Sequence, residues 1–130
     1  MTAAAGYAQL AQLVGNPSLY DQLAALGERM RRGLREALSG LGIKAFVTGT
    51  GSIWGGPYFM DREPTSMRDL LDCNQAAGML LSACLLERGV LMTAPAHLNF
   101  LSTAHTEGDV DEVVDAHREV MKLLQAEGCM

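Results

Sequence analysis

The chain has 130 residues and a mass of 13.9 kDa, which is room for one domain and hardly for two. Hydrophobic residues make up 48% and charged residues 19%, as in globular rather than disordered proteins. The net charge of −5, without a long basic run, argues against nucleic-acid binding. The longest apolar run, 76–86, is about half of a bilayer span, and the N-terminus has no signal-peptide pattern. We therefore expect a cytoplasmic protein that binds neither nucleic acid nor membrane.

The first segment, 2–14, has the composition of a helix and carries no charge on any face. A helix that is neutral or apolar all round is normally covered by other protein. We therefore expect this helix to contact a neighbour that the rest of the chain does not supply.

A second helix is predicted after Asn16 and Pro17, with Asn16 as the N-cap and Pro17 in the first turn. Its apolar positions recur every three or four residues and form one stripe: Leu19, Leu23, Leu26, Met30, Leu34 and Leu38. Four arginines lie off that stripe and are predicted to form a solvated face: Arg29, Arg31, Arg32 and Arg35. Gly40 and Gly42 are predicted to end the helix.

The middle of the chain predicts a β-hairpin. Two strand-like runs, 43–47 and 52–60, are separated by the turn residues 48–51. Pro57 and the two glycines before it predict a bulge or an edge in the second strand.

The second half predicts two helices and two short strands. A helix is expected over 65–88, capped by its first Thr or Ser, and strands are expected over 90–92 and 98–102. Thr106 and Asp109 form a capping box for the last helix. One face of that helix is apolar apart from a histidine: Val110, Val113, Val114, His117, Met121 and Leu124. The order of elements predicts an α+β fold of two layers, a small and mostly antiparallel sheet with helices packed on one face.

Two polar motifs contain residue types that occur in binding or catalytic sites. Gly49-Thr50-Gly51 leads into a strand, whereas a phosphate-binding glycine loop opens a helix, so nucleotide binding is not predicted. Ser102, His105 and Asp109 have the residue types of a catalytic triad but lack a nucleophile elbow. Hydrogen bonding at a helix start explains them better, and a small independent enzyme using Ser102 and His105 stays open as a lesser alternative.

The other two histidines have different settings. His117 lies among apolar helix positions and is predicted to pack in the core rather than to bind a ligand. His97 follows Pro95 and Ala96 in a loop before a strand, where a polar side chain can face a cleft. With three histidines and no paired C-x-x-C, we predict no metal site.

Several stretches of the sequence carry a family resemblance. Residues 2–6 and 16–20 resemble a segment in which one helix leaves a large domain and a second helix begins after a break. Residues 51–55 resemble a Gly-Ser-Met-Phe strand. Residues 86–90 resemble Leu-Glu-Arg-Gly-Val, and 100–106 resemble Phe-x-Ser-x-Ala-His-Thr. In this order and spacing the chain resembles the C-terminal small domain of class III pyridoxal-phosphate aminotransferases, most of all the glutamate-1-semialdehyde aminomutase branch.

The resemblance implies that 1–130 is one small domain, with helix 1–15 joining it to an absent large domain. In the family the large domain holds pyridoxal phosphate through a Schiff-base lysine, an aspartate and backbone donors. Lys44 on a strand and Lys122 on the last helix, the two lysines here, lack such surroundings. The resemblance therefore implies no catalytic and no cofactor-binding residue in this chain, which alone should not catalyse transamination. The resemblance also implies that the whole enzyme is cytoplasmic and dimeric. In the aminomutase branch it implies an isomerase of porphyrin biosynthesis.

Two substitutions within the resembling region concern the substrate. Counting back from Phe100 places His97 where the aminomutase pattern has a glutamate that faces the active site. Asn99 stands where the family often has glycine. The resemblance therefore implies His97 and Asn99 as substrate-facing residues. Replacing a carboxylate by a mostly neutral imidazole favours an aminotransferase with another amine or amino-acid substrate.

Two functions of different classes follow. The first is the C-terminal portion of such an enzyme, forming one wall of the substrate pocket. The second is a free-standing interaction module that dimerises or docks on an aminotransferase. The expected partner is accordingly the absent large domain, or a second copy bound through the apolar N-terminal helix.

Overall fold

The computed structural model describes residues 2–93 and 98–129. Within them lie four α-helices, three β-strands and one short 3-10 helix. The helices are α1 (Thr2–Gly15), α2 (Ser18–Leu41), α3 (Gln75–Leu86) and α4 (Glu107–Ala126), the strands are β1 (Phe46–Thr48), β2 (Ile53–Tyr58) and β3 (Leu98–Phe100), and the 3-10 helix is Asp69–Asp72. The predicted α+β class is confirmed. None of the described helices is both long enough and apolar enough to span a bilayer.

The sheet has the order β1-β2-β3, and both pairings are antiparallel. Phe46 stands opposite Tyr58 and Thr48 stands opposite Gly55, so the register shifts within the hairpin. The predicted bulge is therefore confirmed. The alternative of an edge strand is wrong, because β2 is the central strand and pairs on both sides.

The main hydrophobic core lies between the sheet and helices α2, α3 and α4. Side chains that are almost fully buried come from all three helices: Met30, Leu34, Leu85, Val110, Val120 and Met121. The predicted apolar face of α4 is confirmed, whereas in the first half of α2 the leucines of the stripe are only half-buried. At the α2–α4 contact, a β-carbon on Gly33 would lie 2.9 Å from a methyl group of Val114. The glycine therefore lets the two helices approach closely.

A buried arginine joins α2 to the hairpin. The Arg31 side chain is 6% exposed, and its Nη1 donates to the carbonyl oxygens of Gly51 and Ile53, both at 2.9 Å. Its Nη2 pairs with Glu28 at 3.0 Å. The prediction of a solvated arginine face is therefore wrong for Arg31. Periodicity reports which helix positions are apolar, but it does not report backbone carbonyls that another segment presents to the helix.

Gly27, one helical turn before Arg31, makes this contact possible. A β-carbon at Gly27 would lie 1.9 Å from the carbonyl oxygen of Gly51, which is far inside van der Waals contact. The turn itself also depends on glycine, since Gly49 has φ 128° and Gly51 has φ 52°. The helix and the turn therefore meet backbone to backbone.

The helix predicted over 65–88 is wrong in its first part. One carboxylate oxygen of Asp69 accepts hydrogen bonds from the backbone nitrogens of Thr65 and Ser66, both at 2.9 Å, and from their hydroxyl groups. Asn74 then caps α3 by accepting from the backbone N–H of Ala77 at 3.1 Å. Such side-chain bonds compete with helical backbone bonds, so the helix begins only at Gln75.

The strand predicted over 90–92 is absent from the sheet as described, whereas the strand predicted over 98–102 is present as β3. The backbone N–H of Val90 donates to the carbonyl of Leu85 at 3.0 Å, which closes the end of α3. Gly89, with φ 80°, allows that reversal of the chain. The Val90 amide is thus used by the helix and is not available to a strand.

Helix starts agree with the sequence in one case and differ in another. The capping box of α4 is confirmed: Thr106 Oγ1 accepts from the Asp109 N–H at 3.2 Å, and the Asp109 carboxylate accepts from the Thr106 N–H at 2.7 Å. At α2 the cap position is Pro17 rather than Asn16. The Asn16 side chain instead accepts a hydrogen bond from the hydroxyl of Ser18 at 3.0 Å.

We expect Arg31→Ala to lower the free energy of unfolding by about 3 kcal/mol, because two carbonyl groups lose a charged donor. The matched control is Arg32→Ala, since Arg32 is exposed and its pair with Glu36 is 3.9 Å long. The control should change stability by less than about 0.5 kcal/mol. Urea denaturation followed by circular dichroism measures both, and equal losses would contradict the structural role of Arg31.

Candidate functional site

The structure describes one of the two predicted substrate-facing residues. Asn99 lies in β3 opposite Trp54 of β2, and His97 lies outside the described residues. Successive side chains of a strand point to opposite faces of the sheet. Asn99 therefore shares the helix-packed face with Trp54, whereas Leu98 and Phe100 lie on the outer face.

Asn99 is bonded to the chain that precedes β3. Its Oδ1 accepts from the backbone N–H of Thr93 at 3.1 Å, and the Thr93 hydroxyl lies 2.9 Å from the same oxygen. That hydroxyl also lies 3.1 Å from the carbonyl of Leu98, so it can donate to either oxygen. Asn99 thus holds Thr93 beside the start of β3. The amide nitrogen of Asn99 is the group that this side chain can offer to a ligand.

Ser102 and His105 are bonded to each other at the end of β3. The backbone N–H of Ser102 donates to His105 Nδ1 at 3.0 Å, and the Ser102 hydroxyl is 3.0 Å from the same nitrogen. A backbone donor at Nδ1 makes that atom the acceptor, so a neutral ring carries its proton on Nε2. Asp109 belongs to the capping box, and the donors of Thr106 hold its pKa below the ordinary value. The contacts support the predicted hydrogen-bonding role of this turn, and the Asp109 carboxylate bonds Thr106 rather than His105.

His117 packs in the core, as predicted. It is fully buried, its ring meets Trp54 edge to face at a centroid distance of 5.8 Å, and Nδ1 lies 2.7 Å from the Val113 carbonyl. A carbonyl only accepts, so Nδ1 carries the proton and Nε2 is bare. Nε2 has no hydrogen-bond partner among the described residues. Burial lowers the pKa of His117 to about 4, and the bond to Val113 opposes this shift.

The two lysines were tested as holders of pyridoxal phosphate. The Lys44 side chain is 81% exposed and pairs with Asp61 at 3.3 Å, and Lys122 is exposed on α4. A Schiff-base lysine is activated by desolvation or by a neighbouring cation, and neither lysine has that environment. These residues do not fit the cofactor. Among residues 2–93 and 98–129 there is also no group of metal-ligating side chains.

Large apolar side chains remain exposed on α1 and on the outer face of β3. Tyr7 is 77% exposed and Phe100 is 64% exposed. The others in these two elements are Leu10, Val14 and Leu98. Exposed apolar surface of this kind is typical of a protein–protein contact.

Comparison with known proteins adds the family. No protein-family model matches the chain. It is 32% identical over 124 residues to glutamate-1-semialdehyde 2,1-aminomutase from Bordetella avium (strain 197N), which covers 95% of this chain and 29% of that protein. An omega-transaminase from Sphaerobacter thermophilus matches with a TM-score of 0.72 and 28% identity, over 82% of this chain and 24% of its own. A transaminase with pyridoxal phosphate bound matches with a TM-score of 0.69 and 26% identity, over 88% of this chain and 25% of its own.

The matches confirm the predicted resemblance to class III aminotransferases. The similarity covers 82% to 95% of this chain, an extent that is consistent with a C-terminal small domain of such an enzyme. The chain spans less than a third of the length of each relative that it matches.

Sequence reasoning missed two residues that shape the surroundings of the site. Thr93 holds Asn99, and Arg31 holds the hairpin that pairs with β3. A signal for Arg31 was present in the sequence. Gly27 lies four residues earlier on the same face of a helix, where glycine is unfavourable unless something approaches closely.

The His117 imidazole predicts a pH dependence of stability. Its pKa is about 4 in the fold against an ordinary value of 6.5, so the unfolded chain binds the additional proton between these values. Stability should therefore fall by up to about 3 kcal/mol as the pH drops from 6.5 to 4. Urea denaturation at pH 7 and pH 4.5 measures the loss of stability. In the His117→Met variant this loss should be only a fraction of the loss in the wild type. An equal loss in both proteins would show that other groups cause it.

Proposed function

We propose that this chain serves as the C-terminal small domain of a pyridoxal-phosphate-dependent class III aminotransferase resembling glutamate-1-semialdehyde aminomutase, and that it forms one wall of the substrate pocket. The observation that carries the proposal is the extent of the similarity. It runs over 95% of this chain but only 29% of the relative, so most of the relative has no counterpart in this sequence.

In this proposal the remainder of the enzyme holds pyridoxal phosphate. When bound, the cofactor supplies the electron sink for chemistry at the carbon that bears the amine. The residues of this chain orient the substrate. His97 and Asn99 face it, and the bonds from Thr93 hold Asn99 in place so that its amide nitrogen is presented in one direction.

His97 would set the choice of substrate. A carboxylate at this position attracts a second cationic amine, whereas an imidazole is mostly neutral at pH 7 and can donate or accept a hydrogen bond. We therefore propose an amine or amino-acid substrate other than that of the aminomutase. The exposed apolar side chains of α1 and β3 support contact with the rest of the enzyme, because burying them removes apolar surface from water.

A chimaera tests the proposal. The small domain of the Bordetella avium relative is replaced by this chain, and pyridoxal phosphate content and kcat/KM are measured for a panel of amino donors. We expect His97→Ala in the chimaera to change the ratios of kcat/KM among donors by about tenfold or more at unchanged cofactor content. Lys122→Ala, on the exposed face of α4, is the control and should leave the ratios as they are. Unchanged ratios in the His97 variant would refute the substrate-facing role, and a chimaera without cofactor would refute the domain role.

The second candidate function is a free-standing interaction module, which the bare apolar surface of α1 favours. Such a chain would form a dimer of twice 13.9 kDa through α1. Sedimentation equilibrium should then give the dimer for the wild type and for Gln12→Glu, and the monomer for Leu10→Glu. Both substitutions add one negative charge to α1, but only Leu10 is a large apolar side chain. A wild-type monomer would exclude dimerisation through this helix.

A further inference from the structure

A cavity of about 400 Å³ lies on the helix-packed side of β3. Its apolar walls come from α2, α4, the sheet and the segment before β3: Met30, Trp54, Met92, Leu101, Val110 and Val113. The segment 90–93 forms one wall because it does not join the sheet, and the bonds between Thr93 and Asn99 hold it beside β3. The volume falls within the range of natural small-molecule pockets.

The cavity opens to solvent, because exposed residues such as Leu91 and Phe100 lie among those that line it. Water therefore contacts its apolar walls when no ligand is bound. An apolar molecule of suitable size would displace that water and remove apolar surface from it, which favours binding.

The polar atoms that line the cavity restrict what the ligand can be. The Asn99 oxygen is bonded to Thr93, His105 Nδ1 to Ser102, and the Asp109 carboxylate to Thr106. What remains on Asn99 and His105 is donors: the amide nitrogen of Asn99 and Nε2 of His105. No lysine or arginine occurs among the described lining residues, so an anionic ligand would find no partner for its charge.

We propose that this cavity binds an uncharged small molecule that has an apolar body and one hydrogen-bond acceptor. Exposed Phe100 also lines the cavity, whereas Leu98 lines a separate pocket beside Tyr58. The amide nitrogen of Asn99 is also assigned to the substrate in the proposed function, so the two ligands would compete for it. The test below uses this chain alone and therefore reports on the cavity separately from the aminotransferase role.

Trp54 makes the test direct, because it is the single tryptophan of the chain and lines the cavity. The probes are anisole and toluene, two molecules of similar shape of which only anisole carries an acceptor. Titration of the whole chain with anisole should change the Trp54 emission saturably and raise the Tm. Toluene should bind about fivefold more weakly, since it lacks one neutral hydrogen bond.

Two variants on α4 locate the site. Val113→Phe fills the cavity and should weaken anisole binding at least tenfold, whereas Leu123→Phe is an exposed control on the same helix and should bind as the wild type does. Equal binding in both variants would overturn the proposed location. A wild-type emission that shows no saturation up to the solubility limit of anisole would overturn the proposal outright, whether or not Val113→Phe folds.

Discussion

The guanidinium of Arg31 fixes where the hairpin sits on α2, and the positions of the other strands follow from that contact. It holds the carbonyls of Gly51 and Ile53, which bracket the start of the central strand. Trp54 comes next and enters the core, and β3 pairs with the same stretch of β2. Burying a charged group costs free energy unless it is fully hydrogen-bonded, and here two carbonyls and Glu28 meet that need.

The two faces of the sheet differ in what they contact. The helix-packed face carries Trp54 and Asn99 and encloses the cavity beside α4. The outer face carries Leu98 and Phe100, which are exposed. Leu98 lines a pocket beside Tyr58 and Leu70, and Phe100 also lines the cavity. A domain built in this way presents apolar surface outward, and the polar groups around β3 bond to one another at the surface.

Local sequence patterns predicted the parts of the fold that depend on local contacts. The apolar period gave α2 and α4, and the spacing of Thr106 and Asp109 gave the capping box. The prediction of a helix over 65–74 was wrong because side chains such as Asp69 bind nearby backbone amides. The prediction of a strand over 90–92 was wrong because the amide of Val90 closes the end of α3. The burial of Arg31 was not predicted, because the carbonyl groups that accept its hydrogen bonds lie 20 and 22 residues away in the sequence. Of the candidate site, the strand that carries Asn99 could be predicted from the sequence, whereas the substrate-facing roles of Asn99 and His97 both rest on family resemblance.

The close approach at Gly27 has a consequence for moving this domain between proteins. A β-carbon at that position would lie 1.9 Å from the carbonyl oxygen of Gly51, so a rotation of α2 that turned a side chain toward the hairpin would separate the two elements. The contact therefore restricts how α2 can be oriented relative to the hairpin. A fusion protein that keeps residues 18–58 together keeps this contact, because both of its sides lie within that segment.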